Sequence, residues 1–70
     1  MIQKRSVKIA GHATSVSLEE EFWEALLKIA RRRNQSLTSL IAATDVVRGG
    51  NLSSALRLLV LEAYRRKELT

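Results

Sequence analysis

The sequence predicts a mainly α fold with a short β-strand, and three observations carry that prediction. The hydrophobic period changes once inside Thr14–Arg33, from alternation to a helical repeat. Two further apolar stretches follow, each led by a capping residue, Ser36 and then Asn51 or Ser53. The chain before Glu19 carries Lys4, Arg5 and Lys8 and no acid, so one end is set apart by charge.

Met1–Lys4 is expected to be mobile, as termini usually are. Ser6–Ile9 alternates weakly, with Val7 and Ile9 apolar and Ser6 and Lys8 polar. Residues 1–12 therefore read either as a basic arm or as a first short strand. Gly11 then breaks the pattern. A tight turn there would lay residues 5–9 beside the next strand, whereas a kink would leave one long bent arm. His12 is either a polar turn residue or a phosphate or base contact. Thr14, Val16 and Leu18 alternate with Ser15 and Ser17, the period-two mark of a half-buried strand. Its backbone groups need a partner strand, from this chain or from a second copy.

From Glu19 the period is helical. Phe22, Leu26, Ile29 and Ala30 form a core-facing stripe, widened by Trp23 and Leu27. Trp23 is expected in a core or dimer interface rather than stacked on a base. The helix opens either with Ser17 and Glu20 as a capping box or with Glu19 as the cap and Leu18 stapled to Trp23. Glu19–Glu21 at its start and Arg31–Arg33 at its end suit the helix dipole. After Asn34-Gln35, Ser36 caps a second helix with Leu37, Leu40, Ile41, Thr44 and Val47, stopped at Arg48-Gly49-Gly50. A third helix, from about Leu52 to Lys67, carries Leu56, Leu58, Leu59, Val60 and Leu61. A helix apolar on nearly all sides wants burial on nearly all sides, which a monomer of 70 residues can hardly supply. That argues for a dimer.

Composition narrows the function. The net charge of +5 argues for an anionic partner, nucleic acid first, with acidic proteins and membrane surfaces as rivals. With no Cys and a single His, neither disulfides nor a thiolate or His-rich metal site can support so small a core. Oligomerisation is left as the support. No stretch is long and apolar enough to span a bilayer, and no signal peptide is evident, so a soluble cytoplasmic protein is expected. Catalysis has little to work with: no Cys nucleophile, one His, no converging carboxylate pair and no glycine-rich phosphate loop. The expectation is a non-enzyme without cofactor or metal.

The order strand, helix, short break, helix resembles the ribbon-helix-helix family, which includes the Arc and methionine repressors. The resemblance rests on Ser15-Val16-Ser17-Leu18, Glu19-Glu20-Glu21-Phe22, then Leu26, Ile29 and Ala30, and on Asn34-Gln35-Ser36 leading into Leu37-Thr38-Ser39-Leu40-Ile41. It spans residues 13–48. The ending from Gly49 to Arg66 and the opening from Arg5 to Leu26 also look like a subgroup of short bacterial ribbon-helix-helix proteins, with residues 51–67 as an additional C-terminal helix completing the dimer core.

The resemblance implies an intertwined homodimer in which one strand from each chain pairs antiparallel and enters the major groove of double-stranded DNA as a two-stranded ribbon. Carried over, the reading positions are Ala13, Ser15 and Ser17. A phosphate would rest on the helix start at Ser36, Thr38 and Ser39. Asn51-Leu52-Ser53-Ser54 is the alternative start, and spacing from Phe22 favours Ser36. Val16, Leu18, Phe22, Trp23, Leu26, Leu40, Leu56, Leu59 and Val60 would make the dimer core. Ala13 cannot hydrogen-bond and Ser discriminates poorly among bases, so specificity would fall on Lys4, Arg5, Lys8 or His12, or on DNA shape. The function implied is a DNA-binding transcriptional regulator, a repressor. The alternative is a dimeric protein-interaction module, antitoxin-like or an adaptor, binding an acidic protein partner through the apolar third helix.

Overall fold

The computed structural model describes residues 1–9, 11–47 and 51–67. The chain runs β1 (Ile2–Ile9), β2 (His12–Glu19), α1 (Glu20–Arg32), α2 (Leu37–Val47) and α3 (Leu52–Arg65). This is the mainly α, ribbon-first architecture that the sequence predicts, with the additional C-terminal helix. The expected stop at Arg48-Gly49-Gly50 lies outside the described residues.

The two strands form an antiparallel hairpin, in register from Ile2 opposite Glu19 to Ile9 opposite His12. The reversal is tight, and Gly11 in it has φ +83°, where any side chain would be strained. The turn reading of Gly11 is therefore the one the fold adopts. The strand expected to pair with a second chain has one edge filled by β1 of its own chain. Ile2–Lys4 is part of that strand rather than a mobile tail, and the Met1 carbonyl accepts the Glu20 N–H at 3.2 Å. The N-terminal residues are thus tied down at the point where strand gives way to helix.

Glu19 is the N-cap of α1, in extended backbone at ψ 147°, so the capping-box alternative through Ser17 is not used. Leu18 before the cap and Trp23 after it both lie in the core, as a hydrophobic staple requires. The helix ends in a Schellman motif. Asn34 takes φ 54°, its N–H donates to Arg31 O at 3.2 Å, and the Gln35 N–H donates to Ala30 O at 2.9 Å. Asn is one of the few residues that accepts this left-handed turn, which explains the polar break between the first two helices. Ser36 then caps α2, its Oγ accepting the Ser39 N–H at 3.0 Å. Asn51 caps α3 the same way, its Oδ1 accepting from Ser54 N–H at 3.1 Å. Thr44 in α2 satisfies its half-buried hydroxyl by donating to Leu40 O.

All three helices pack on one side of the hairpin, with α2 against β1, and α1 and α3 against β2. The core joins Val16, Leu18, Trp23, Leu26, Ile29, Leu40, Ile41, Leu56 and Val60, all buried, with Val7, Ile9, Phe22 and Leu59 partly buried against them. Every residue expected in a dimer core therefore contributes to the core of the single chain. The third helix is less hidden than its composition demands. It buries Leu56, Val60 and Ala63, while Leu58 is 65% exposed and Leu61 and Tyr64 are each 53% exposed. Leu58 and Leu61 lie on the side of α3 turned away from the buried stripe.

Candidate nucleic-acid interface

The pairing register decides what each strand residue can touch. Partners directly opposite in an antiparallel pair share a face, and successive residues alternate. The inner face carries Gln3, Arg5, Val7 and Ile9 from β1 with Leu18, Val16, Thr14 and His12 from β2. The outer face carries Lys4 opposite Ser17, Ser6 opposite Ser15, and Lys8 opposite Ala13, all six exposed. The three expected reading positions thus acquire two long cationic side chains and a third hydroxyl from the neighbouring strand. On the sequence alone that face held only Ala13, Ser15 and Ser17. Ser6 is a further member of this face, and its place between Lys4 and Lys8 at strand spacing is the sequence signal for it.

Arg5 stands apart from the two lysines. Its guanidinium carbon lies 4.9 Å from the centre of the Trp23 ring. Trp23 is fully buried, and its indole N–H donates to Gln3 O at 3.1 Å. One tryptophan therefore fastens β1 to α1 by a hydrogen bond and a cation–π contact together. The ring is part of the chain's own core. The cation–π contact also puts the Arg5 charge on the helix side of the ribbon. His12 falls on the inner-face parity beside the turn and is exposed.

The one acid at the base of the outer face is neutralised. Glu19, opposite Ile2, receives Arg57 of α3, with Nε 3.0 Å and Nη2 2.9 Å from the same carboxylate oxygen. The Glu19 carboxyl is held below its ordinary range, first by its own backbone N–H and then by Arg57. The Arg57 guanidinium carbon also stands 5.8 Å from the Phe22 ring centre. With Glu19 paired, the outer face from Lys4 to Lys8 presents positive charge and hydroxyls to solvent.

Ser36, Thr38 and Ser39 are exposed at the start of α2. The Ser36 hydroxyl occupies the Ser39 amide, while those of Leu37 and Thr38 have no acceptor within the helix. The start of α3 is capped in the same manner by Asn51. Among the described residues no pocket opens, and no group of three or more His, Cys, Asp or Glu is placed to hold a metal. No helix of the described residues is long and apolar enough to cross a membrane.

A hairpin whose inner face is sealed by helices and whose outer face is polar and basic defines a ribbon-presenting domain. The match to known families is direct: residues 2–64 fit the ribbon-helix-helix domain, and the chain belongs to that family. The family is one of DNA-binding transcription regulators and antitoxins, typically non-enzymatic and generally dimeric. Among solved structures, the chain is similar to an uncharacterized protein from Bordetella pertussis Tohama I, with 32% identity and a TM-score of 0.82. That likeness covers 97% of this chain and 59% of the other. No curated protein matches.

Proposed function

We propose that this chain is a sequence-specific, DNA-binding transcription regulator, a cytoplasmic repressor that acts as a homodimer and presents the outer face of its hairpin to the major groove. The observation that carries the reading is the segregation of the ribbon. Lys4, Ser6, Lys8, Ala13, Ser15 and Ser17 are all solvent-exposed on one face, and the apolar strand residues are on the other. An antiparallel ribbon has the width the major groove admits, and serine hydroxyls reach base edges there. The lysines supply the phosphate attraction that dominates affinity. The free amides of Leu37 and Thr38 at the start of α2, which lies against β1, add a place for a further phosphate. The test is fluorescence anisotropy of a labelled duplex titrated with protein over a range of salt. Affinity should fall linearly on logarithmic axes as salt rises. Salt-independent binding, or none at low salt, would refute the reading.

A second reading is favoured by the third helix. Leu58, Leu61 and Tyr64 form an exposed apolar side, which suits a protein partner of antitoxin or adaptor type. Light scattering on a Leu58→Ser/Leu61→Ser variant separates the possibilities. A fall in mass to the monomer assigns this side to the homodimer and removes the reading's support. An unchanged oligomer leaves the side free for another protein.

A further inference from the structure

The carboxylate at the foot of the hairpin turns to α3 rather than to its own helix. Glu19 is the one acidic residue in Ile2–Ile9 and His12–Glu19, and by register it shares the outer face with Lys4, Ser6 and Lys8. It is also the N-cap of α1, a position whose side-chain oxygen ordinarily accepts from an amide of the first turn. Its side chain makes no such cap bond. It receives Arg57 instead, 38 residues away, through two nitrogens on one oxygen. Arg57 is held for that contact. Leu56 beside it is fully buried and Val60 nearly so, which fixes this turn of α3. Its guanidinium carbon stands 5.8 Å from the centre of the Phe22 ring. The Glu19 backbone is fixed in turn by its pairing with Ile2 and by the bond from Glu20 N–H to Met1 O.

We propose that Arg57 is a positioning residue for nucleic-acid binding: from α3 it holds and neutralises the Glu19 carboxylate, so that the outer ribbon face meets phosphates with no negative charge at its base. The proposal rests on the DNA-binding reading above. The side chains of Arg57 and Glu19 are 34% and 36% exposed, and an ion pair so open to water adds little to stability. Its effect on the ribbon is larger. Unpaired, the carboxylate would stand on the outer face about 7 Å along the strand from Ser17, which lies opposite Lys4. That is within one Debye length at physiological salt, so the charge would reach any phosphate drawn to Lys4. Glu20 and Glu21 differ, since they sit in the first turn of α1, beyond the strand, where the helix dipole favours them. Arg57 acts through Glu19 and does not touch DNA. A helix outside the ribbon thus sets the charge of the ribbon, and DNA affinity depends on the seating of α3.

The test is a double-mutant cycle in the full chain: parent, Arg57→Gln, Glu19→Gln and the two together, each titrated into a labelled duplex at low salt. A unit charge about 7 Å from a phosphate in water changes affinity about twofold at low salt, hence about fourfold for the two chains of a dimer. Arg57→Gln should weaken binding about fourfold, because the carboxylate is unmasked. Glu19→Gln should strengthen it about fourfold, because Arg57 then stands uncompensated. The double variant should return to within about twofold of the parent, a rescue that a merely structural role for Arg57 would not give. A double variant as weak as Arg57→Gln alone overturns the proposal, since Arg57 would then touch DNA or hold the fold. As a control for general charge, Glu21→Gln should change affinity by the same factor with Arg57 present or replaced, and unequal factors overturn the specific link to Glu19. Should Arg57→Gln fail to fold by circular dichroism, Glu19→Gln decides alone, and unchanged or weaker binding overturns the proposal. A parent chain without salt-sensitive binding fails the DNA reading and the proposal together. A parent that binds, with no rescue in the double variant, fails the proposal alone.

Discussion

Of the three basic residues in the first strand, Arg5 should behave unlike the other two, and a substitution of each separates folding from binding. The Arg5 guanidinium lies over the Trp23 ring at 4.9 Å, inside the roughly 6 Å within which a cation is attracted to the ring face. Arg5 is exposed, so the attraction is that of a solvated pair, about 0.5–1 kcal/mol. Its aliphatic stem also covers part of the inner ribbon face, and truncation loses that contact. Arg5→Ala should therefore lower stability by about 1 kcal/mol, roughly a fivefold shift in the folding equilibrium. Lys4→Ala with Lys8→Ala removes only exposed charge from the outer face and should move stability by no more than about 0.5 kcal/mol. Urea unfolding followed by the emission of the single tryptophan and by far-ultraviolet circular dichroism gives both numbers. Duplex affinity, measured in low salt and without denaturant, should be lowered by the lysine pair and barely moved by Arg5→Ala. Unchanged stability in Arg5→Ala, together with a loss of DNA affinity equal to that of the lysine pair, would refute the division of the ribbon into inner and outer faces.

Other substitutions check the scaffold that holds this ribbon. Trp23→Phe keeps an aromatic ring but removes the donor to Gln3 O and part of the indole volume, and should cost about 2–3 kcal/mol by urea unfolding. Ser36→Ala and Asn51→Ala each delete a cap hydrogen bond and should each cost about 1 kcal/mol, additively in the double variant. The Glu19 carboxyl is lowered in the folded chain by its own backbone N–H and by Arg57. A lowered folded-state value means that its contribution is fully present above the ordinary glutamate range and is lost as pH falls through the folded-state value. Melting temperature measured from neutral pH downward should thus fall less steeply below the ordinary range in Glu19→Gln than in the parent chain. Identical acid limbs would remove the Glu19–Arg57 pair from the account.

Much of the fold was legible because its signals are local. The change of period at Glu19 marks where β2 becomes α1, and Ser36 and Asn51 announce two helix starts that the structure caps as expected. What local signals could not supply was register. Gly11 was visible as a break, but whether it turned the chain depended on Val7 and Ile9 finding the same core as Val16 and Leu18. Without that pairing Lys4, Arg5 and Lys8 read as one basic arm. With it, alternation sends Lys4 and Lys8 outward and Arg5 inward. The alternation of Val7 and Ile9 with Ser6 and Lys8 is visible in the sequence. Extended two residues toward the N-terminus, it would have placed Arg5 with the apolar set. An arginine on an apolar face makes sense only beside a ring such as Trp23, 18 residues away in sequence, and no local pattern reports that contact. The third helix went the other way. Its apolar composition called for burial all round, while the single chain covers one side and leaves Leu58 and Leu61 exposed.

The most direct test of the central claim is selection of binding sites from a random duplex pool by the purified protein at physiological salt. Two-fold related ribbons reading bases through Ser15 and Ser17 should enrich an inverted repeat, and the same selection with Ser15→Ala/Ser17→Ala should lose or alter it. A pool that stays random while binding remains salt-sensitive would contradict the claim, since the ribbon would then hold phosphates and read nothing.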